Sequence, residues 1–286
     1  MRSAGAKVCV FPINGTRRWF YLEHAAKITS DPITAYLDIA GRRHIALYRM
    51  LFDHGIDTLL TPVFGPDLYD RGDTYIERIG IEGLSRLANH PDFLQFYDEY
   101  QVRVRFYGDY RKYLNSSPYA STCDDIDAIT ERMAGHQKHR LFFGVFAHDA
   151  SESTARLAVE HFQLHGSIPD KEQLVAMYYG EPVGPVDLFI GFDKLSTFDM
   201  PLIATGNEDL YFTTAPSPYL SVEQLRHILY DHIYTRKIEE IDYADMGSDD
   251  LEWMRLYYAA NRSQTIGVGM VRGGIWYPLP AVEWPA

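Results

Sequence analysis

The sequence predicts a single α/β domain built on a largely parallel central sheet flanked by helices. Three observations carry that prediction. Strand-like runs alternate with helix-like segments along most of the chain. Arg140–Ala147 (RLFFGVFA) is almost continuously apolar, the pattern of a strand covered on both faces. No linker, repeat or low-complexity block divides the 286 residues, a length that one domain can fill.

The elements follow in order. Lys7–Ile13 (KVCVFPI) reads as a buried strand and Asn14–Trp19 (NGTRRW) as the turn after it. Ser30-Asp31-Pro32 marks a helix start, because a capping side chain precedes a proline whose missing N–H does no harm there. That helix should run to His54 and stop at Gly55. Thr58–Phe64 is a second strand. Asp73 to about Glu99 is helix, broken near His90-Pro91. Gln101–Tyr107 is a strand, residues 111–122 a loop, and a helix follows to about Ala134. After the Arg140–Ala147 strand, Ser151–Leu164 and Lys171–Tyr179 are amphipathic helices. Val186–Phe192 and Asp209–Thr213 are strands, Val222–Lys237 and Asp249–Ala260 helices, and Gly267–Pro278 a short hairpin.

Composition narrows the function. Apolar residues make up 46%, enough for a sizeable core. Lys and Arg number 27 against 39 Asp and Glu, a net charge of −12, so neither nucleic acid nor an anionic membrane is the expected main partner. Cys9 and Cys123 lack zinc-site spacing and read as reduced thiols. Val8–Ile13 is too short for a secretory segment, and no run reaches the roughly 18 apolar residues of a membrane span, so a cytoplasmic location is expected. The chain carries 21 Tyr and 15 Phe, which suit a core and equally suit a pocket that faces a cation.

The sharpest local signal is Asn14-Gly15-Thr16-Arg17-Arg18-Trp19, just past the first strand. Ligands of open α/β sheets bind at that end. Gly15 allows close approach to the backbone, Thr16 offers a hydroxyl, and Arg17 and Arg18 offer forked donors for phosphate oxygens. The same residues also fit a solvated turn whose arginines pair with surface carboxylates.

Val10-Phe11-Pro12-Ile13-Asn14-Gly15-Thr16-Arg17-Arg18-Trp19 resembles the first phosphate-binding loop of the cis-prenyltransferase (undecaprenyl diphosphate synthase) superfamily, Met-Asp-Gly-Asn-Gly-Arg-Trp. Further matches follow in order: His54–Leu59 (HGIDTL), Val102–Asp109 (VRVRFYGD), Val186–Ile190 (VDLFI) and Asp209–Thr213 (DLYFT). The likeness is closest to a terpenyl-transferring and terpene-forming branch whose loop reads Phe-Pro-Phe-Asp-Gly-Thr-Arg-Arg-Trp-Phe. That branch also resembles this chain at Asp70–Asp73 (DRGD), Phe143–Phe146, Phe198 and Ile228–Tyr234, over roughly residues 7 to 277.

The resemblance implies a cis-prenyltransferase-like fold and commonly a homodimer. It implies ionisation of an allylic diphosphate of fifteen or twenty carbons, open or cyclised. Water, a nucleoside-like acceptor or proton loss would then quench the carbocation. By the same resemblance Asn14, Tyr36 and Tyr75 are catalytic, and Gly15, Thr16, Arg17, Arg18, Lys194 and Ser196 bind diphosphate. Asp209 would be a ligand to Mg²⁺. Two departures matter. The second diphosphate stretch of the elongating enzymes, Arg-Thr-Gly-Gly-Glu-x-Arg-x-Ser-Asn, is shortened here to Gly191–Thr197 (GFDKLST), which speaks against chain elongation. Asn14 stands where the family has Asp, and an amide is neither a base nor a strong magnesium ligand. An elongating synthase and a non-catalytic binding subunit of this fold stay open as alternatives. His44, His54, His148 and His232 lack ligand spacing as pairs, His148-Asp149 is a site-edge candidate or a helix cap, and Asp67, Asp70 and Asp73 form an acidic cluster that also reads as ion pairing near a helix start.

Overall fold

A computed structural model describes residues 7–279 except 30, 66–71, 73, 74, 116 and 240. Six strands form one all-parallel sheet: β1 (Val8–Val10), β2 (Thr58–Phe64), β3 (Val102–Tyr107), β4 (His139–Val145), β5 (Leu188–Phe192) and β6 (Asp209–Thr213). Their spatial order is β3-β4-β2-β1-β5-β6, which puts β1 between β2 and β5. The helices that position the site are α1 (Thr16–Glu23), α2 (Pro32–Asp53), α3 (Glu82–Asn89) and α4 (Pro91–Tyr100). Gly269–Arg272 and Ile275–Pro278 pair as the expected hairpin.

Both faces of the sheet are covered, as the continuous apolar strands predict. Cys9, Leu59, Leu141, Phe143, Leu188 and Ile190 pack on one face with Leu47, Tyr48, Leu51 and Phe52 of α2 and Phe96 of α4. Val8, Val10, Leu60, Phe142 and Phe189 face the other way onto Val175 and Tyr179. The period of two along each strand sends alternate side chains into the two cores. Cys9 and Cys123 are buried and free. Among the described residues no helix is long and apolar enough to cross a membrane.

The first strand is shorter than expected, Val8–Val10, the helix from Val222 ends at Ile233 with a separate turn at Thr235–Lys237, and two further segments differ in kind. Residues 111–122 are not all loop: Tyr110–Leu114 forms one short helix whose Tyr110 and Leu114 are buried. The core face holds a turn too short to show a period. Asn14–Trp19 is not a turn throughout, because helix begins at Thr16. Gly15 at φ +74° makes the sharp entry, and the chain then winds directly into α1.

Candidate active site

The cradle sits where β1 ends. Asn14 N–H donates to Ser217 Oγ at 3.1 Å, and Ser217 N–H donates back to the Asn14 carbonyl at 3.0 Å. These bonds tie the loop after β1 to the segment after β6. Gly15 is pressed against that neighbour: a Cβ there would lie 2.8 Å from Phe192 Cε1 and 2.9 Å from Pro216 Cβ. α1 starts directly after it, and the first N–H groups of a helix have no partner within the helix. It has neither a capping side chain nor an acidic residue in its first turn. α2, by contrast, is capped by Asp31, whose carboxylate accepts Thr34 N–H at 3.0 Å. The positive end of α1 therefore has no side chain of its own helix to match it.

Arg17 and Arg18 extend this charge. The Arg17 guanidinium lies over the Tyr75 ring, 5.3 Å from its centroid, and Arg18 lies over Phe192 at the same distance. Arg18 is also 3.7 Å from the Asp193 carboxylate.

A cavity of about 990 Å³ opens beside the cradle, at the upper end of the usual range for ligand pockets. Asn14, Gly15, Thr16, Arg17 and Arg18 line one part of it. α2 supplies a wall through Tyr36, Leu37, Ala40, Gly41 and His44, a helical stripe with two small residues at its middle. Val63 and Phe64 enter from β2, where a bulge after Pro62 breaks the pairing with β4. Tyr75, Leu87 and Phe93 close another side. Tyr36 meets Phe20 of α1 edge-on, with centroids 5.3 Å apart. The result is a cationic loop joined to an aromatic and aliphatic chamber.

The structure brings seven of the sequence-predicted residues to this cavity: Asn14, Gly15, Thr16, Arg17, Arg18, Tyr36 and Tyr75. Lys194 and Ser196 do not join them. Both are exposed on the loop after β5, whose Asp193 and Phe198 turn inward instead. Asp209 does not join them either. It is the first residue of β6, paired in register with Leu188, whereas Asn14 follows the last residues of β1. The two ends of a five-residue strand are about 13 Å apart. Asp209 is held where it stands by His232 Nδ1 at 2.6 Å, Arg236 at 3.4 Å and Lys237 at 3.6 Å. No three His, Cys, Asp or Glu side chains gather as a metal cage among the described residues. With Asn14 an amide and Asp209 engaged elsewhere, the described donors at the cradle do not fit Mg²⁺. Asp67, Asp70 and Asp73 lie outside the described residues. His148 lines the cavity, and Asp149 accepts Ser151 N–H at 2.9 Å at the start of the next helix.

Sequence reasoning set His44 aside for want of ligand spacing, and missed Asp38 and Arg86. All three line the cavity, and Arg86 joins Asp38 to Glu82 through its guanidinium. The stripe on α2 was the available signal for His44, since it continues the spacing of Tyr36, Ala40 and Gly41.

No family model matches the chain. Two curated relatives do. The chain is 44% identical to tuberculosinyl adenosine transferase of Mycobacterium tuberculosis, over 97% of this chain and 92% of that protein. It is 24% identical to (+)-kolavelool synthase of Herpetosiphon aurantiacus, over 97% and 91%. Solved structures share the fold. A probable undecaprenyl diphosphate synthase from Campylobacter jejuni matches with a TM-score of 0.58 at 16% identity, over 82% of this chain and 98% of that one. Lavandulyl diphosphate synthase from Lavandula x intermedia, solved with dimethylallyl diphosphate, matches with a TM-score of 0.60 at 13% identity, over 85% and 100%. The six-stranded parallel sheet, the arginine loop after its first strand and near-complete alignment with the mycobacterial transferase place this chain in the family of tuberculosinyl adenosine transferase, on the cis-prenyltransferase fold.

Proposed function

We propose that the protein ionises an allylic terpenyl diphosphate of fifteen or twenty carbons and passes the carbocation to a small uncharged acceptor. The observation that carries this reading is the joining of an uncapped helix end and two arginines to an aromatic chamber in one cavity. The C–O bond at the allylic carbon breaks and diphosphate leaves with the electron pair. Arg17, Arg18 and the first N–H groups of α1 meet that growing negative charge. The faces of Tyr36 and Tyr75 hold the cation that remains. Attack by a nucleoside nitrogen then forms a C–N bond, attack by water forms a C–O bond with release of one proton, and proton loss forms a C=C bond. The leaving diphosphate can take such a proton. A nucleoside acceptor has support in the relative that is named for adenosine transfer.

Incubation with ten-, fifteen- and twenty-carbon allylic diphosphates and a bicyclic twenty-carbon one, with and without adenosine, tests the reading. Mass spectrometry should show diphosphate release and a terpenyl product from at least one of them. Release from none overturns it and leaves the binding-subunit alternative standing. Consumption of isopentenyl diphosphate would instead support elongation, against which the exposed Lys194 and Ser196 count.

Asn14→Asp is expected to raise turnover about tenfold, roughly 1.4 kcal/mol of barrier. A carboxylate polarises an incoming nucleophile and offers a magnesium ion a ligand, and an amide does neither well. Affinity for inorganic diphosphate should stay level or weaken, since the added charge repels it. Unchanged or lower turnover would make the amide itself the working group.

The homodimer is a proposal of the same standing. The helix Ser248–Asn261 buries none of its residues and exposes Leu251, Trp253, Leu256 and Tyr258, and the hairpin adds Val268, Met270, Val271 and Tyr277. A second copy of the chain is the expected cover for so much apolar surface. Light scattering should give twice the 32.9 kDa chain mass at micromolar concentration, and a monomer would count against it.

A further inference from the structure

Two consecutive residues of α2 hold the two arms of the cradle. Arg43 reaches the segment after β6, where Nε donates to the Pro218 carbonyl at 2.7 Å and Nη2 to the Leu220 carbonyl at 3.1 Å. That segment carries Ser217, the partner of Asn14, and Pro216, which packs on Gly15. His44 reaches the other arm, with Nε2 3.4 Å from Thr16 Oγ1 at the start of α1. The Thr16 hydroxyl gives its own hydrogen to the Ile13 carbonyl at 3.0 Å. Its oxygen is thus left as an acceptor, and the imidazole must be the donor. Burial, and then the neighbouring Arg43 charge, push His44 down to about 4. The ring is neutral at neutral pH, so it has one N–H to give, and the geometry puts it on Nε2.

We infer that Arg43 and His44 are positioning residues for the diphosphate, setting the distance between the helix end at Thr16 and the Asn14–Ser217 loop. Donors already aimed at the leaving group lose little by reorganising when charge develops. This inference rests on the proposed diphosphate reading. It gives α2 two jobs: residues 36–41 shape the apolar chamber, Arg43 holds the anion end, and His44 joins the two, lining the cavity while it holds Thr16.

Calorimetric titration with two probes tests it, inorganic diphosphate for the cradle and geranylgeraniol for the chamber. His44→Leu should weaken diphosphate binding about tenfold or more, the scale of one hydrogen bond lost from a buried polar site. Geranylgeraniol binding should stay within about twofold, because leucine keeps an apolar wall of similar volume where the imidazole lines the cavity. His44→Gln, whose amide can donate from near the same place, should bind diphosphate within about threefold of wild type. Arg43→Lys keeps the charge but cannot bridge both carbonyls, and should weaken diphosphate binding about threefold or more. The inference is overturned if folded His44→Leu keeps its diphosphate affinity, if His44→Gln is as weak as His44→Leu, or if geranylgeraniol binding falls in step. If His44→Leu does not fold, Arg43→Lys decides, and unchanged diphosphate binding there sinks the inference. Absence of diphosphate binding in wild type overturns the diphosphate reading itself, and the positioning role with it.

Discussion

Arg17→Ala and Arg18→Ala are each expected to lose about 2–4 kcal/mol of transition-state stabilisation, the cost of one charge-assisted donor removed from a preorganised site. In kcat/KM for the diphosphate substrate that is roughly thirty- to a thousandfold. The loss should fall mainly on kcat, because the leaving group carries more negative charge in the transition state than in the ground state. The two variants should differ in stability. Arg17 rests on Tyr75, a contact whose loss leaves no charge unpaired, so its melting temperature should hardly move. Arg18 is the ion-pair partner of Asp193, one of whose oxygens is buried without a hydrogen bond. Removing Arg18 leaves that carboxylate more isolated, and the melting temperature should fall. Steady-state kinetics and a thermal melt of the two purified variants check both halves. Full activity in both would remove the loop from the mechanism.

The second large effect belongs to Gly15. Gly15→Ala puts a Cβ on a residue at φ +74°, within 2.8 Å of the Phe192 ring and 2.9 Å of Pro216. The left-handed backbone costs a residue with a side chain about 1–2 kcal/mol, and overpacking adds about 1–3 kcal/mol. Phe192 is buried at the end of β5 and Pro216 is fixed beside Ser217, so neither yields easily. We expect a stability loss of about 2–5 kcal/mol in denaturant unfolding, together with loss of diphosphate binding as α1 is pushed off the β5 and β6 loops. A variant within about 1 kcal/mol of wild type that keeps its activity would show that the close approach at Gly15 is not what holds the cradle.

The sheet is legible in the chain alone, because each strand carries its own evidence. Thr58–Phe64 and Asp209–Thr213 have the predicted bounds, and the apolar run around Phe142 and Phe143 is buried on both faces. The loop Asn14–Arg18 and its place at the end of β1 are legible there too, since ligand-facing loops follow parallel strands and the residue types there are those an anion needs. Local signals of this kind survive folding because they depend on neighbours in the chain.

Tertiary structure decided what depends on neighbours in space. Thr16–Trp19 became helix, since Gly15 can turn the chain sharply enough to start one at once. Asp209 stayed with His232, Arg236 and Lys237, because a parallel register sets the start of β6 a strand's length from Asn14. Lys194 and Ser196 went to solvent while Asp193, between them and the sheet, turned back to Arg18. Arg43 and His44 sit 25 or more residues from the groups they hold and share no local motif with them. Only the packing of α2 against one face of the sheet brings them to the cradle, and that packing follows from burial of Leu47, Tyr48, Leu51 and Phe52, not from any feature of the loop itself.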